Sequence, residues 1–390
     1  MKIFNKNEWK KVKLGDVCEV ITGNTPLKKI KEYWDKDEVP FITPPELKYE
    51  GINYITPNIY VSKIGAKQGR IIPKNSICVC CIGSLGKLGI LKEDAITNQQ
   101  INSLILKNKN VDLLYLYFYL KTIKNNLERI ATSTTVKIIN KSSFEKIDIN
   151  LPSLEIQKKI SKKLELLENN IDFRKRQLNY LKDLTKSLFT TMFGDIKTND
   201  KNWKLFEIKE ISNIITRGKT PKYASSSNIF VINQACIYWD KLKYENVKFH
   251  IEDESLLFLK NKDVLINSTG TGTLGRMNVI QNIIHEKFTI DSHVMLVRLK
   301  TEKTLPLYFI NIFMNEKYQK DLLLKCVNGS TNQIELSKEK FSKFKIPIPP
   351  IELQNKFAER IEKIEKLKFI IMTIILNTYE TMKKKGVEKD

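Results

Sequence analysis

Histidine is scarce in this 390-residue sequence, and the three that occur, His250, His285 and His293, are not at the spacing of metal ligands. No residue is placed as a nucleophile or general base beside a partner in a known motif. The acidic segment 252–254 lacks the lysine that follows the carboxylates of a nuclease site, which favours a solvated loop. We therefore predict a chain with no catalytic residue, no metal site and no cofactor of its own.

Cysteines are few and show no framework. Three of the six, Cys78, Cys80 and Cys81, lie in the apolar run ICVCCIG without CxxC spacing, which indicates buried thiols in a reducing compartment. The N-terminal MKIFNKNEWKK has no apolar signal region. The longest apolar runs, 113–120 and 369–376, are much shorter than the roughly 20 residues of a membrane span. These features predict a cytoplasmic protein.

Acidic residues are in deficit. Lys and Arg number 66 against 44 Asp and Glu, which leaves a formal charge of +22. Such an excess favours polyanions, because phosphate contacts release condensed counterions. An AT-rich genome that encodes Lys and Asn at tolerant surface positions would give a similar composition, so charge alone does not identify a partner.

The sequence is a tandem repeat with an offset near 195 residues. The early matches contain small gaps, and from Ser133 the offset becomes a constant 197. An ungapped match of this length indicates that geometry restrains the later part of each copy. The matched segments are Trp9 with Trp203, 21–26 with 215–221, 77–87 with 264–276, 114–116 with 307–309, Ser133-Thr134 with Ser330-Thr331, and 149–157 with 346–354.

Each copy begins with mixed β and short helical segments and ends with a long helix. Alternating apolar residues and Gly, Pro and Asn punctuation over 12–106 and 206–299 predict short strands. The runs 112–130 and 305–324 predict helices. After a proline-closed extended stretch, long helices are predicted to begin near Glu155 and Glu352, and the first should end near Met192 before a glycine.

The long helices carry apolar residues at heptad spacing, which favours a coiled coil over a helix packed on its own domain. We expect an α+β protein with two tandem mixed domains and two long helices that pair as an antiparallel coiled coil, pseudo-twofold overall. The expected divisions are 1–152 and 196–349 for the domains, and 153–195 and 350–390 for the helices. The residues expected to pair the helices are Ile160, Leu164, Leu167, Ile171, Leu178, Leu181, Phe357, Ile361, Ile364, Ile371 and Ile375.

Three strings imitate nucleotide or methyltransferase motifs. Segment 270–275 reads GTGTLG, but a strand-like RMNVI follows it where a dinucleotide loop would open a helix. Segment 218–220 reads GKT without the first glycine of a phosphate loop, since position 213 is Asn. Segment 43–46, TPPE, has Thr where an amino-methyltransferase motif has Asn or Asp, and Glu where that motif has an aromatic residue, so we interpret it as a turn.

In this order, and twice, the repeated features resemble the specificity subunits of type I restriction–modification systems. The resemblance covers the whole chain, with one departure: Asn140 stands in segment 139–144 where the family usually has serine. The features that carry it are Trp9 with KLGDV (13–17), Trp203, Ser133-Thr134, Ser330-Thr331, LPSLEIQ (151–157), IPPIELQ (348–354) and LFTTMFGD (188–195).

The resemblance implies two target-recognition domains that each read half of a bipartite DNA site, with the helices fixing the gap. It also implies that the helices dock two modification subunits, which use S-adenosylmethionine to methylate adenine. Restriction subunits, which use ATP and Mg, would join the same assembly. This chain itself would carry out no reaction.

Reading DNA requires cations on phosphates and hydrogen-bonding side chains at base edges. The polar loops supply both, although any single residue could equally be an ordinary surface residue. The candidates are Thr22, Asn24, Thr25, Lys28, Ser84, Lys87, Asn98, Gln99 and Gln100 in the first copy, and Thr216, Arg217, Lys219, Thr220, Lys222, Thr271, Thr273, Arg276, Ser292 and His293 in the second.

Three other hypotheses stay open at this stage. The chain could be the DNA-recognition subunit of another methylation or defence system, which co-purification with a methyltransferase would distinguish. It could be a coiled-coil scaffold with incidental charge, which salt-insensitive or absent DNA binding would indicate. It could also be an enzyme whose site follows no known motif.

Overall fold

The computed structural model describes residues 9–132, 136–270, 272–281, 283, 287–329 and 334–384. The chain forms two compact units. The first takes the described residues of Met1–Leu178 and Ile370–Asp390, and the second is Asn179–Phe369.

The first unit begins with short strands and helices and continues into a 40-residue helix that ends in the second unit. Its elements are β1 (Lys10–Lys13), α1 (Leu14–Val17), β2 (Cys18–Thr22), β3 (Val39–Ile42), β4 (Tyr60–Val61), α2 (Lys63–Ala66), β5 (Ile77–Cys80), β6 (Leu88–Ile90), β7 (Ile96–Thr97), β8 (Ile101–Leu106), α3 (Leu113–Thr122), α4 (Lys124–Ile130), α5 (Lys141–Glu145), β9 (Asp148–Leu151) and α6 (Leu154–Phe193).

The second unit follows a similar order, with no α-helix at the places of α1 and α2 and with three additional short strands, and ends with a 34-residue helix that continues into the first unit. Its elements are β10 (Lys204–Glu207), β11 (Ser212–Arg217), β12 (Tyr223–Ala224), β13 (Ile229–Ile232), β14 (Lys248–His250), β15 (Val264–Asn267), β16 (Met277–Val279), β17 (Phe288–Ile290), β18 (Val294–Leu299), α7 (Pro306–Met314), α8 (Glu316–Cys326), β19 (Val327–Asn328), β20 (Glu335–Leu336), α9 (Lys338–Ser342), β21 (Lys345–Ile348) and α10 (Ile351–Lys384).

Both units contain the same antiparallel four-stranded sheet, ordered β2-β8-β5-β6 in the first and β11-β18-β15-β16 in the second. A second sheet in each unit, three-stranded in the first (β4-β3-β7) and four-stranded in the second (β12-β14-β13-β17), contains one parallel pair, β3 with β7 or β13 with β17. A two-stranded ladder, β1 with β9 or β10 with β21, joins the beginning of each unit to the strand that precedes its long helix. The predicted α+β class with two tandem mixed domains is confirmed.

The two predicted helices at 112–130 and 305–324 are each broken into two. The first breaks at Ile123, between α3 and α4. The second breaks at Asn315, whose side-chain oxygen accepts hydrogen bonds from the backbone N–H groups of Lys317 and Tyr318 at 3.0 and 3.3 Å. An asparagine that caps a new helix in this way stabilises the break.

Each unit contains a section of both long helices. In the second unit, Phe189 and Phe193 at the end of α6 pack on Phe357 near the start of α10, with ring centroids 5.6 and 5.2 Å apart. In the first unit, the ammonium of Lys175 on α6 lies 5.9 Å from the ring centroid of Tyr379 near the end of α10. The start of α10 meets the end of α6, as in an antiparallel pair.

All six cysteines are buried and free. Cys78, for example, has its sulfur 3.6 Å from Ser103 Oγ, and burial raises the pKa of its thiol to about 12. The interpretation of these cysteines as buried thiols is confirmed. No helix among the described residues is long and apolar enough to cross a membrane.

A buried glutamine joins each long helix to its own unit. Gln157 Oε1 accepts a hydrogen bond from the Asp112 backbone N–H at 2.8 Å, just before α3, and its Nε2 donates to Asn110 O and Pro152 O at 3.0 and 2.9 Å. Gln354 makes the same three hydrogen bonds in the second unit, at 2.8, 3.1 and 2.9 Å. Both side chains are 0% exposed. We call this arrangement the glutamine clamp.

Replacing Gln157 with leucine should destabilise the protein, because one buried and two partly buried backbone groups lose their hydrogen-bond partner. A buried backbone group without a partner costs about 1–3 kcal/mol, and the two partly buried groups cost less because water can reach them, so we expect a loss of about 2–5 kcal/mol in the free energy of unfolding. Denaturant titration followed by circular dichroism measures it. Asn355→Ala, an exposed position on α10, is the control and should change stability by less than about 0.5 kcal/mol. Equal midpoints for Gln157→Leu and the parent would contradict the clamp.

Candidate nucleic-acid interface

Three loops of the first unit meet at one end of its four-stranded sheet. Thr22 at the end of β2 pairs with Asn102 near the start of β8, and Cys80 at the end of β5 pairs with Ile101. The strand ends therefore lie side by side, and the loops that leave them are neighbours. We call them the first loop cluster: residues 22–28, 81–87 and 97–100.

The second unit has the same arrangement. Arg217 at the end of β11 pairs with Met295, and Asn267 at the end of β15 pairs with Val294 at the start of β18. The candidates chosen from sequence in each half therefore come from loops at one end of one sheet. The second loop cluster is 217–222, 268–270, 272–276 and 291–293, while Thr271 lies outside the described residues, as do Ser133-Thr134 and Ser330-Thr331.

A glycine allows two loops of each cluster to touch. A Cβ atom on Gly23 would overlap the backbone oxygens of Thr97 and Asn98, and one on Gly218 would overlap those of Ile290 and Asp291. A glycine is required for so close an approach of two backbones. These glycines lie in the aligned segments ITGNTP and ITRGKTP. A glycine repeated in both copies could have indicated a close backbone contact, but a search for polar residues alone missed it.

The turn before β8 or β18 has the same backbone in both units. Asn98 Oδ1 accepts a hydrogen bond from the Gln100 N–H at 3.1 Å, and Asp291 Oδ1 accepts one from the His293 N–H at 2.9 Å. The carbonyl of the last turn residue accepts a further backbone hydrogen bond from the neighbouring loop, at 2.8 and 2.9 Å. These are Asx turns, in which a short polar side chain fixes the backbone two residues on. Burial raises the pKa of Asp291.

In the first cluster, several candidate side chains are tied to one another. Thr25 Oγ1 donates to Gln99 Oε1 at 2.7 Å, and Asn24 Nδ2 donates to Gln68 O at 2.6 Å. Thr22 Oγ1 is turned inward and donates to Asn102 Oδ1 at 2.7 Å. An open groove of about 370 Å³ lies between the loops, lined by Thr25, Pro26, Leu27, Lys28, Phe41, Thr43, Asn98 and Gln99.

In the second cluster, Arg217 is directed inward. Its guanidinium forms an ion pair with Glu335 and donates to Leu336 O, and burial lowers its pKa. Thr216 Oγ1 donates to the Arg217 carbonyl at 3.2 Å. These two candidates are therefore occupied by internal contacts. Other candidates remain accessible: Lys219, Thr220, Lys222 and His293 are exposed, and Thr273 and Ser292 are half-buried.

The remaining candidates of the first cluster lie beside an aromatic ring. Lys87 and Lys124 place their ammonium groups 5.6 and 4.1 Å from the ring centroid of Tyr49. Cations within about 6 Å of an aromatic face are held there by the ring quadrupole. Ser84 is half-buried in the same hairpin loop as Lys87.

The second unit builds a similar group from other residues. Arg276 and Lys243 lie 5.1 and 4.3 Å from the ring centroid of Tyr238. Among the described residues, these two cations and the two beside Tyr49 have no carboxylate within 4.0 Å. We call the two groups the cation brackets. Sequence reasoning selected Lys87 and Arg276 but missed both rings, which follow the short 3₁₀ turns Pro44–Glu46 and Gln234–Cys236.

The residues that the sequence predicted to pair the long helices are buried or partly buried. Leu164, Ile171, Phe357, Ile361, Ile364, Ile371 and Ile375 are buried, and Ile160, Leu167, Leu178 and Leu181 are partly buried. A second apolar series on α6 is exposed: Leu166, Phe173 and Tyr180, seven residues apart, are 62%, 53% and 70% exposed. Helix α10 also exposes Leu367, Met372 and Leu376.

The imitation motifs have ordinary structural roles. Segment 270–275 runs into strand β16, so it does not open a helix as a dinucleotide loop does. Segment 43–46 contains the 3₁₀ turn Pro44–Glu46, in which Glu46 accepts hydrogen bonds from Thr43. In the described part of the chain, no group of three or more His, Cys, Asp or Glu could hold a metal ion.

Comparison with known proteins gives one consistent family. A model described as "Type I restriction modification DNA specificity domain" matches residues 6–183 and 200–380. The MjaIX specificity subunit of Methanocaldococcus jannaschii is 26% identical over 92% of this chain and 87% of its own length. The HindI specificity subunit of Haemophilus influenzae is 34% identical over 45% of this chain and 39% of its own length.

Solved structures share the fold. A type I restriction–modification S subunit from M. genitalium superimposes with a TM-score of 0.61 at 14% identity, over 100% of this chain and 98% of that one. A chain from a structure on complex assembly and conformational transition of the type I R-M system gives 0.61 at 15% identity, with full coverage of both.

Proposed function

The chain belongs to the family of type I restriction–modification DNA specificity domains, and from that premise we propose that it reads DNA sequence for a larger modification and restriction enzyme. The observation that carries the proposal is the pair of loop clusters, which share a close glycine contact and an Asx turn and present different side chains. Residues 1–152 and 196–349 are the two recognition domains, and each reads one half of a bipartite site. The spacer helices fall within residues 153–195 and 350–390.

The cation brackets supply the phosphate contacts. Phosphate contacts set the position of a protein on DNA, and base contacts then specify sequence. Each bracket holds two cations beside a ring, without a neighbouring carboxylate among the described residues to neutralise them. The formal charge of +22 adds a general attraction. Non-specific affinity therefore comes from the cations, and discrimination between sequences comes from the loop clusters.

The long helices set the distance between the two half-sites. At about 1.5 Å per residue, the 40 residues of α6 extend roughly 60 Å, and the 34 of α10 roughly 51 Å. The glutamine clamps fix the start of each helix to the domain that precedes it. A continuous helix with a fixed beginning is a spacer whose length is counted in residues.

The exposed apolar series on α6 is the docking surface for the modification subunits. Exposed apolar residues that follow each other at heptad spacing can pack against a partner helix. The reactions belong to the partners: two modification subunits use S-adenosylmethionine, and restriction subunits use ATP and Mg. This chain contributes sequence recognition and assembly.

Removing one bracket cation should weaken DNA binding about equally for all sequences. For Lys124→Gln or Lys243→Gln in the complex with its modification subunits, the slope of log K against log salt should fall in magnitude by about 0.9. Fluorescence anisotropy with a mixed-sequence duplex measures it. Lys366→Gln on α10, which removes a cation paired with Glu362, is the control and should leave the slope unchanged. Unchanged slopes for both bracket variants would rule out this role.

Lengthening both helices should widen the gap between half-sites. We would repeat residues 172–178 after Leu178 and residues 363–369 after Phe369, where each helix passes from one unit to the other. Seven residues add about 10.5 Å, or about three base pairs, and keep the heptad register. Mapping methylated adenines in a host that carries the complex should show both half-sites unchanged and a longer gap. Seven residues inserted after Glu254, in an exposed loop, should leave the gap as it is. An unchanged gap in the helix variant would refute the spacer role.

Charge on the exposed apolar series should prevent assembly. Leu166→Lys with Phe173→Lys should abolish co-purification of the modification subunits, because an ammonium group cannot be buried unpaired in an apolar contact. Asp172→Lys adds the same charge on a flank of α6, at a side chain 65% exposed, and should assemble normally. Normal assembly of the double variant would place the docking surface elsewhere.

A further inference from the structure

We propose that the two residues at the tip of each Asx turn select the bases of each half-site: Gln99 and Gln100 in the first loop cluster, Ser292 and His293 in the second. This inference rests on the proposed function, since it names the part of each DNA-reading surface that distinguishes one base from another. Substitutions at these four positions should change which sequence is bound, whereas substitutions in the cation brackets should weaken binding to all sequences.

The backbone of the turn is fixed without help from the tip side chains. Asn98 or Asp291 holds the turn through its own side chain. Gly23 or Gly218 lets the adjacent loop lie directly on the backbone just before it. A backbone hydrogen bond joins the last turn residue to the third loop. The two turns therefore have the same backbone conformation. Substitutions at their tips change the hydrogen-bonding groups that are presented, with little effect on the turn backbone.

The first turn presents two amide donors. Gln99 Oε1 already accepts from Thr25, and Gln100 Oε1 already accepts from Asn98 Nδ2 at 3.0 Å. Within the described chain, neither Nε2 group has an acceptor, and Gln99 is exposed. Amide N–H groups fit the acceptors that bases display in the major groove, namely guanine N7 and O6, adenine N7 and thymine O4.

The second turn presents different groups. His293 is exposed, and its Nδ1 is hydrogen-bonded to Thr269 Oγ1 at 2.8 Å, which leaves Nε2 free to meet a base. The Ser292 hydroxyl has no partner among the described residues and can donate or accept. Because the two turns have the same backbone and different tip side chains, we expect the two half-sites to differ in sequence at the bases that these residues contact.

Exchanging the tips tests the assignment. The variant Gln99→Ser with Gln100→His gives the first turn the tip of the second, and Ser292→Gln with His293→Gln does the reverse. In the complex with modification subunits, methylated-adenine mapping should show a changed first half-site in the first variant and a changed second half-site in the other. The untouched half-site and the gap should stay the same. Unaltered half-sites in both exchanges would overturn the inference.

An exchange could block methylation altogether, so a double substitution that conserves side-chain shape provides a second test by binding affinity. Gln99→Glu with Gln100→Glu keeps the side-chain shape and removes the N–H donors, so affinity for the parent's mapped site should fall about 10-fold or more. Because the added charge also weakens binding to every duplex, the ratio of the affinity for the mapped site to that for a mixed-sequence duplex should fall as well. Gln68→Glu, an exposed glutamine outside the cluster, should retain specific affinity. Full affinity of the double variant would overturn the inference.

The outcomes for the parent complex separate this inference from the function on which it rests. If the parent shows no sequence preference at all, the proposed function fails. If the parent is specific and the tip variants keep its full specificity, the function stands and the bases are read by other residues.

Discussion

Three hydrogen bonds from one buried carboxamide determine how each long helix leaves its domain. Gln157 and Gln354 satisfy a backbone donor and two backbone acceptors, and each joins the loop before α3 or α7 to the extended stretch before the helix. A helix start carries unpaired polar groups that are costly to bury without partners. Because the clamp is made mostly of backbone, the sequences of the two domains can diverge while the direction of each helix is maintained.

The loop clusters follow the same principle of backbone-held geometry. Gly23 and Gly218 have no side chain where two backbones touch. The Asx turns are held by hydrogen bonds within the turn. The tip side chains Gln99, Gln100 and His293 make hydrogen bonds of their own to neighbouring loop residues, but the backbone of each turn is held by other groups. Arg217 differs, since its pairing with Glu335 gives a candidate DNA contact a structural role.

Much of the architecture could be predicted from the sequence because it repeats. The helices expected near Glu155 and Glu352 begin at Leu154 and Ile351, and the first ends at Phe193, one residue beyond the expected Met192. The breaks at Ile123 and Asn315 were missed because apolar periodicity continues across them. The cation brackets could not be found from spacing, since Tyr49 and Lys124 are distant in sequence and approach only in the folded unit. The candidates for base contact could be narrowed from the sequence to polar loops, and the turn geometry was needed to single out the two proposed in each unit.

The reactivity of the buried thiols reports local unfolding in each unit. Burial raises the pKa of Cys18, Cys78 and Cys81 to about 12 and that of Cys236 and Cys326 to about 11, so the native sulfurs stay protonated and shielded. Thiolate is the reactive form, so an alkylating reagent can label these positions only during local unfolding. Four cysteines belong to the first unit and two to the second. Alkylation rates at individual cysteines would therefore show whether DNA or a partner subunit rigidifies one domain before the other, without any engineered probe.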